Sequence, residues 1–200
     1  MCGEPDMRFG LTLLWLLIAT FLLPRGLAAD ETWTLPQLMQ ALAAVTEVDA
    51  TFSERKEMSV LETPLESSGM LRYRAPDDME KEVLYPEPMR YAVTRDQIVI
   101  DQPGGKRETF PLDRYPLLRV LSESMRATLA GDQAKLEAYY RVALSGDVDD
   151  WSLHLEPIDP EIARHVIAIT INGRANQVLQ VETEESGGDR SVMTISPTVR

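Results

Sequence analysis

Apolar residues recur with a helical period in the segment 35–46. They are spaced by three and four positions, as on one face of a helix: Leu35, Leu38, Met39, Leu42 and Val45. Thr34 followed by Gln37 fits a capping box, in which two side chains satisfy free amides of the first turn. The pattern therefore predicts a helix over 35–46.

From residue 49 the period changes to two. Ala50, Phe52, Met58 and Val60 alternate with polar residues, as in a half-buried strand. Turn signals rich in Pro, Gly and Asp then recur at short intervals, and they leave strand candidates at 66–74, 79–85, 89–94, 97–102 and 106–112. Because gaps this short allow only hairpin connections, we predict an antiparallel meander.

A second helix is predicted over 116–130, since Pro116 suits a first turn and Gly131 suits an end. One stripe runs along it at a spacing of four: Leu117, Leu121, Met125 and Leu129. A shorter helical turn is expected at 133–138. Further strands are predicted at 139–145, 151–157, 164–172, 177–185 and 190–196.

These elements predict a mainly β (α+β) fold with about eleven strands. An antiparallel sheet of this size is expected to curl or close, which leaves one apolar face for the helices to cover. Tight packing of the helices would produce an ordinary core. Loose packing would leave an apolar cavity for a ligand.

The first thirty residues differ in pattern from the rest of the chain and are treated as a separate segment. Leu11 to Leu23 is an uncharged apolar run of thirteen, preceded by Arg8 and followed by the small residues around Ala28. This order is typical of a cleaved signal peptide, predicted as residues 1–28, although an uncleaved anchor is the alternative. Cleavage is expected after Ala28 or Ala29. A single domain is predicted over 29–200.

The net charge and the cysteine content exclude some classes of function. The chain carries 20 Lys and Arg against 32 Asp and Glu, a formal net charge of -12, which argues against nucleic-acid binding. Cys2 is the single cysteine and would leave with the signal peptide, so no disulfide is expected. The exported chain would be soluble and acidic.

Catalytic and metal signals are weak. His154 lies between two leucines on a predicted strand and His165 near a strand start, so both are expected in structural or solvent-facing positions. Asp147 begins an acidic stretch, but the twelfth position of a calcium loop would be Ile158 rather than Glu. A carboxylate pair such as Glu80 with Glu82 stays open as an acid–base alternative. We expect no enzyme, no cofactor and no metal.

The sequence also resembles a known family. Gly69-x-Leu71-x-Tyr73-x-x-Pro76, the stretch 91–98 and the turn 189–191 are similar in order and spacing to the periplasmic outer-membrane lipoprotein carriers, the LolA-like family. The resemblance runs from Leu35 to Ile195. It implies an incomplete antiparallel β-barrel with helices as a lid over a cavity for lipoprotein acyl chains.

The resemblance further implies a soluble periplasmic monomer that shuttles a lipoprotein or lipid from an inner-membrane transporter to an outer-membrane acceptor. The family arginine that holds the lid shut falls on Ala75 here, and Arg72 and Arg74 are open as replacements. This departure indicates a divergent member with altered lid control or cargo. A periplasmic interaction or sensor module with a filled core is the alternative function.

Twelve residues are predicted to line the ligand site, on the strands and on the second helix. Met is frequent on adaptable apolar surfaces, although filling gaps in a core is its commoner role. The predicted lining residues are Phe52, Leu71, Tyr73, Met79, Val83, Tyr85, Tyr91, Ile98, Ile100, Leu121, Met125 and Leu129.

Overall fold

A computed structural model describes residues 33–198, which lie within one compact unit. The predicted signal peptide lies outside the described residues. The helices are α1 (Leu35–Ala43), α2 (Pro116–Leu129), α3 (Gln133–Tyr139) and α4 (Pro160–Ala163). The strands are β1 (Glu47–Glu57), β2 (Leu65–Arg74), β3 (Asp78–Tyr85), β4 (Met89–Val93), β5 (Gln97–Asp101), β6 (Arg107–Pro111), β7 (Tyr140–Gly146), β8 (Trp151–Pro157), β9 (Val166–Arg174), β10 (Gln177–Glu185) and β11 (Arg190–Pro197).

The eleven strands form one antiparallel sheet in the order β6-β5-β4-β3-β2-β1-β11-β10-β9-β8-β7. Two meanders, β1–β6 and β7–β11, join where β1 pairs with β11. The sheet is not closed, because β6 and β7 are edge strands, and α2 and α3 lie in the chain between these two edges. The predicted fold class, an incomplete antiparallel barrel with helices, is confirmed.

One face of the sheet is covered by helices, and we call it the covered face. Over β8 and β9 it forms a solid core in which Trp151, Leu153 and Leu155 are fully buried. Leu38, Leu42 and Leu136 from α1 and α3 pack on these strands. The strand register carries the same face across the sheet, because residues paired in an antiparallel ladder point to one side.

Gly173 makes room for the largest buried side chain. A Cβ built on Gly173 would lie 2.2 Å from the Trp151 ring and 2.2 Å from the Gln177 carbonyl oxygen. The indole Nε1 of Trp151 donates to the Ala175 carbonyl oxygen at 3.0 Å. The glycine therefore allows the indole to lie flat over β9 with its polar atom satisfied.

Sequence boundaries differ from the structure mainly near turns. The strand predicted through Val60 ends at Glu57, and Val60 is 79% exposed in the following turn. The first helix ends at Ala43 rather than at residue 46, because the chain must turn there to enter β1. The short helix α4 lies between the strands predicted at 151–157 and 164–172, where no helix is predicted, and the Asp159 side chain caps it by accepting from the Glu161 amide.

The opposite face, which we call the open face, carries ion pairs. Arg72 contacts Glu80, Glu80 also accepts from Arg90, and Asp101 accepts from both Arg90 and Arg107. This chain of opposite charges crosses β2 to β6 and explains the alternating carboxylates of β3. The hydrogen bond from Arg90 to Glu80 is the main reason that the pKa of the Glu80 carboxyl lies below its usual value.

Within residues 33–198, no helix is long and apolar enough to cross a membrane.

Candidate functional site

Eight of the twelve predicted lining residues lie in register on the covered face of the sheet. The register sets them in cross-strand rows: Tyr73 pairs with Met79, Met79 with Val93, and Val93 with Ile98. A second row carries Leu71, Lys81, Tyr91 and Ile100. Phe52 and Val83 lie in a third row, on either side of Gly69. The structure therefore places eight predicted residues side by side on β1 to β5: Phe52, Leu71, Tyr73, Met79, Val83, Tyr91, Ile98 and Ile100.

The covered face is unevenly filled. Over β8 the apolar side chains are completely buried, whereas Leu71, Tyr91, Ile98 and Ile100 on β2, β4 and β5 are only partly buried. Every residue of β4 retains some exposed surface. Phe52, Tyr73, Met79 and Val83 on β1 to β3 are buried. We call this half of the covered face, over β1 to β5, the apolar half-face; its accessible apolar surface lies at Leu71 and on β4 and β5.

The remaining predicted residues lie outside these rows. Tyr85 is 60% exposed, next to a bulge where β2 and β3 lose their regular register at Ser68. On α2, Leu121 and Leu129 are partly buried, but Met125 is 55% exposed at the centre of its stripe. The stripe therefore keeps accessible apolar surface, as the strands of the apolar half-face do.

Most of the buried residues of α2 are polar: Ser122, Ser124, Arg126 and Thr128, together with Ala127. Ser122 and Ser124 donate to the carbonyl oxygens of Leu118 and Val120, one turn earlier in the same helix. Such bonds satisfy buried hydroxyls without an external partner, so a polar helix side can pack against neighbours. The sequence pattern identified the stripe on α2 but gave no sign that these polar residues are buried.

Arg126 links α2 to the turn between β2 and β3. Its side chain is 10% exposed, and its Nη1 lies 3.9 Å from the Asp77 Oδ1. Arg95 from the turn after β4 donates to Asp77 at 2.6 Å, so one carboxylate faces two guanidinium groups. Asp77 therefore joins α2 to two hairpin ends of the apolar half-face.

Arg72 and Arg74, which the sequence left open as replacements for the lid-holding arginine of the family, contact strands rather than a helix. Arg72 pairs with Glu80 and Glu82 on β3. Arg74 pairs with Asp49 at 3.1 Å and donates to the Val48 carbonyl oxygen at 3.2 Å. Both arginines thus bind neighbouring strands, and the contact between helix and turn comes from Arg126 on the helix side.

A charged pair lies inside the apolar half-face. Lys81 on β3 donates from Nζ to Glu54 on β1 at 2.5 Å, and the same Nζ lies 4.7 Å from the centre of the Phe52 ring. Ser67 and Ser191 also donate to the Glu54 carboxylate, at 3.3 and 2.7 Å. Burial raises the pKa of Glu54, but these bonds and the Lys81 charge outweigh burial and lower it overall.

Two grooves border the apolar half-face, the first at Glu54 and Ser67 and the second at Val83. One has a volume of about 620 Å³, and most of its lining residues are polar or charged, among them Ser53, Arg55, Glu66 and Arg190. A second, of about 200 Å³, lies between the ends of β3, β4 and β5. Of the predicted lining residues, Tyr85 borders the first groove and Val83 the second. Neither groove is an apolar chamber.

The histidine and acidic-loop predictions can also be placed. His154 lies on the face opposite Leu153 and Leu155, where its Nδ1 is 3.1 Å from the Thr170 hydroxyl. Asp147 accepts from the amides of Asp149 and Asp150, which makes a local turn. Across residues 33–198, no three His, Cys, Asp or Glu side chains are grouped to hold a metal ion.

The fold and the unfilled half of the covered face define a class: an unclosed antiparallel sheet whose helices cover only part of its apolar surface. The sequence profile described as outer membrane lipoprotein carrier protein LolA-like matches residues 27–197. The chain belongs to this family. No curated protein matches it significantly.

Solved structures with a similar fold differ widely in sequence. A LolA superfamily protein from Nitrosomonas europaea shares 10% identity at a TM-score of 0.43, covering 84% of this chain and 94% of its own. LprF from Mycobacterium bovis shares 12% at 0.40, covering 81% and 89%. The MucA/MucB complex structure from Pseudomonas aeruginosa gives 12% at 0.42, covering 80% of this chain and 53% of the other.

Proposed function

We propose that this protein is a soluble periplasmic carrier, without enzymatic activity, that binds the acyl chains of a lipoprotein or lipid and moves them between the inner and outer membranes. The observation that carries the proposal is the apolar half-face, where Leu71 and the apolar residues of β4 and β5 stay partly exposed while the other half of the same face is solidly packed. Exposed contiguous apolar surface of this kind marks binding sites in soluble proteins.

Physical chemistry supports reversible burial as the working principle. Burying each CH₂ group away from water is favourable by about 0.8 kcal/mol, so a diacyl or triacyl lipid does not leave a membrane for water unless a protein shields its chains. The lining proposed is the strand set named above together with Leu121, Met125 and Leu129 of α2. An inner-membrane transporter would load the carrier and an outer-membrane acceptor would unload it.

Binding of a fluorescent diacyl phospholipid tests this function. Met125→Asp places a charge in the accessible stripe of α2 and is expected to weaken binding by about tenfold or more. Val60→Asp is the matched control, since Val60 is also a highly exposed apolar residue but lies in the turn after β1. Equal binding by both variants and the unaltered protein would remove α2 from the proposed site. Absence of binding by the unaltered protein would contradict the carrier.

The 620 Å³ groove favours a second candidate, the interaction or sensor module. Exposed Tyr85 at a groove rich in charged and hydroxyl side chains suits a protein partner, because tyrosine combines apolar area with a polar tip. In that case Tyr85→Ala would abolish capture of a partner by the folded protein, and lipid binding would be absent. A carrier instead retains lipid binding in Tyr85→Ala.

A further inference from the structure

The apolar half-face changes polarity along its strands. On β1 the residues that point to this face are Ala50, Phe52, Glu54 and Lys56, in that order. β11 repeats the change with Ile195, Met193 and Ser191. The face is thus apolar at one end and charged at the other, as an amphiphile is.

At the charged end, Glu54 and Lys81 differ in the number of other groups that hold them. Glu54 accepts from Lys81, Ser67 and Ser191, so its carboxylate keeps two hydroxyl donors when Lys81 leaves. Lys81 is held by Glu54 and by the Phe52 ring. A lysine side chain is a flexible stem with a point charge, so Lys81 is the member of the pair that can turn toward a new anion.

Stability does not account for a charge at this position. Replacing a buried ion pair with apolar residues is often neutral or stabilising, because desolvation offsets the attraction between the charges. Lys81 lies between the apolar residues Leu71 and Tyr91 in a cross-strand row that ends at Glu108 on the edge strand β6. Its side chain is 27% exposed and that of Glu54 is 19% exposed, so the pair is only partly shielded from solvent.

Lys56 is the other lysine at this end of the face. It pairs with Glu185 at 2.7 Å, an interaction that ties β1 to β10. Unlike Glu54, Glu185 has no serine hydroxyl among its partners in the described residues to replace the lysine. The charge left for a ligand is therefore that of Lys81.

We propose that Lys81 is a headgroup site, and that the cargo is an amphiphile whose hydrocarbon lies along Leu71, Tyr91 and Ile100 and whose anionic phosphate or carboxylate binds the Lys81 ammonium. This proposal rests on the proposed carrier function and adds the class of cargo. When the anion binds, Lys81 turns from Glu54 to the ligand, and Ser67 and Ser191 continue to hold the Glu54 carboxylate. Charge complementarity selects this occupant over an uncharged lipid with the same chains.

The test compares two lipids with identical acyl chains, dioleoylphosphatidylglycerol and dioleoylglycerol, as competitors of the fluorescent phospholipid. The unaltered protein is expected to prefer the phosphatidylglycerol by about tenfold, the scale of one charge-assisted hydrogen bond. Lys81→Met should remove this preference and still bind dioleoylglycerol. Lys81→Arg should keep the preference, because it keeps the charge.

Controls separate this proposal from the carrier function. Lys135→Met changes an exposed lysine on α3 and should leave the preference unchanged. Equal affinity of the unaltered protein for the two lipids, or an intact preference in Lys81→Met, would overturn the headgroup site while the carrier stands. Failure to bind either lipid would overturn both. Full displacement of phosphatidylglycerol by inorganic phosphate would show a simple anion site and contradict an amphiphile.

Discussion

Single residues set the contrast between the two halves of the covered face. Trp151 fills its half because Gly173 lies beneath the ring. Lys81 and Glu54 keep the other half from becoming a wholly apolar core. Neither feature is visible in a hydrophobic pattern, since a pattern places residues on faces but does not show which side chains meet.

Gly173→Ala should destabilise the protein. The added methyl would overlap both the Trp151 ring and the Gln177 carbonyl oxygen, and we expect a loss of about 1–3 kcal/mol in the free energy of unfolding. Urea unfolding followed by Trp fluorescence measures it. Gly187→Ala is the control, because a Cβ there meets nothing within 4 Å. A loss that is the same in both variants would contradict the packing described for Trp151.

Glu54→Gln should change the pH dependence of stability. The folded-state pKa of Glu54 lies below its ordinary value, so its contribution is present above the unfolded pKa and is lost as pH falls through the folded pKa. At neutral pH the variant should be less stable by about 1–3 kcal/mol, the scale of hydrogen bonds to a charged group. The difference should shrink below about pH 4.5. Urea unfolding at neutral and acidic pH measures it, and a constant difference would refute the assignment.

Among the elements, strands were predictable and the orientation of α2 was not. Pro- and Gly-rich turns separate the strands at hairpin distance, which defines both their number and their antiparallel order. For α2, the leucine stripe predicts a helix but does not show that Met125 at its centre is exposed. Nor does it show that polar residues such as Ser122 are buried, with their hydroxyls bonded to the preceding turn.

Arg126 is expected to hold α2 in place through Asp77. Arg126→Met removes the charge but keeps a long apolar stem, so the helix should still form while its attachment to the turn weakens. Amide hydrogen exchange in α2 should speed up about fivefold, as expected for losing roughly 1 kcal/mol. Arg119→Met is the control on the same helix, since Arg119 is well exposed. Equal exchange in the two variants would show that Asp77 does not secure α2.

On the scale of the whole molecule, the sequence pattern predicts about eleven antiparallel strands and most of the residues on the covered face, and the family resemblance implies that the barrel is incomplete. The pattern does not show which half of that face is filled, because β2 and β8 alternate in the same way. The difference arises from long-range packing: α1 and α3 supply leucines to β8, whereas the stripe of α2 stays accessible. Only the fold brings these elements together.

The carrier function is tested most directly by native mass spectrometry of the protein purified under gentle conditions from a Gram-negative periplasm. We expect a species whose mass exceeds that of the protein by the mass of one bound lipid or lipoprotein. The released lipid should carry an anionic headgroup. Met125→Asp should carry less of it than Val60→Asp. Protein that is entirely free of lipid, with both variants indistinguishable from it, would contradict the central claim.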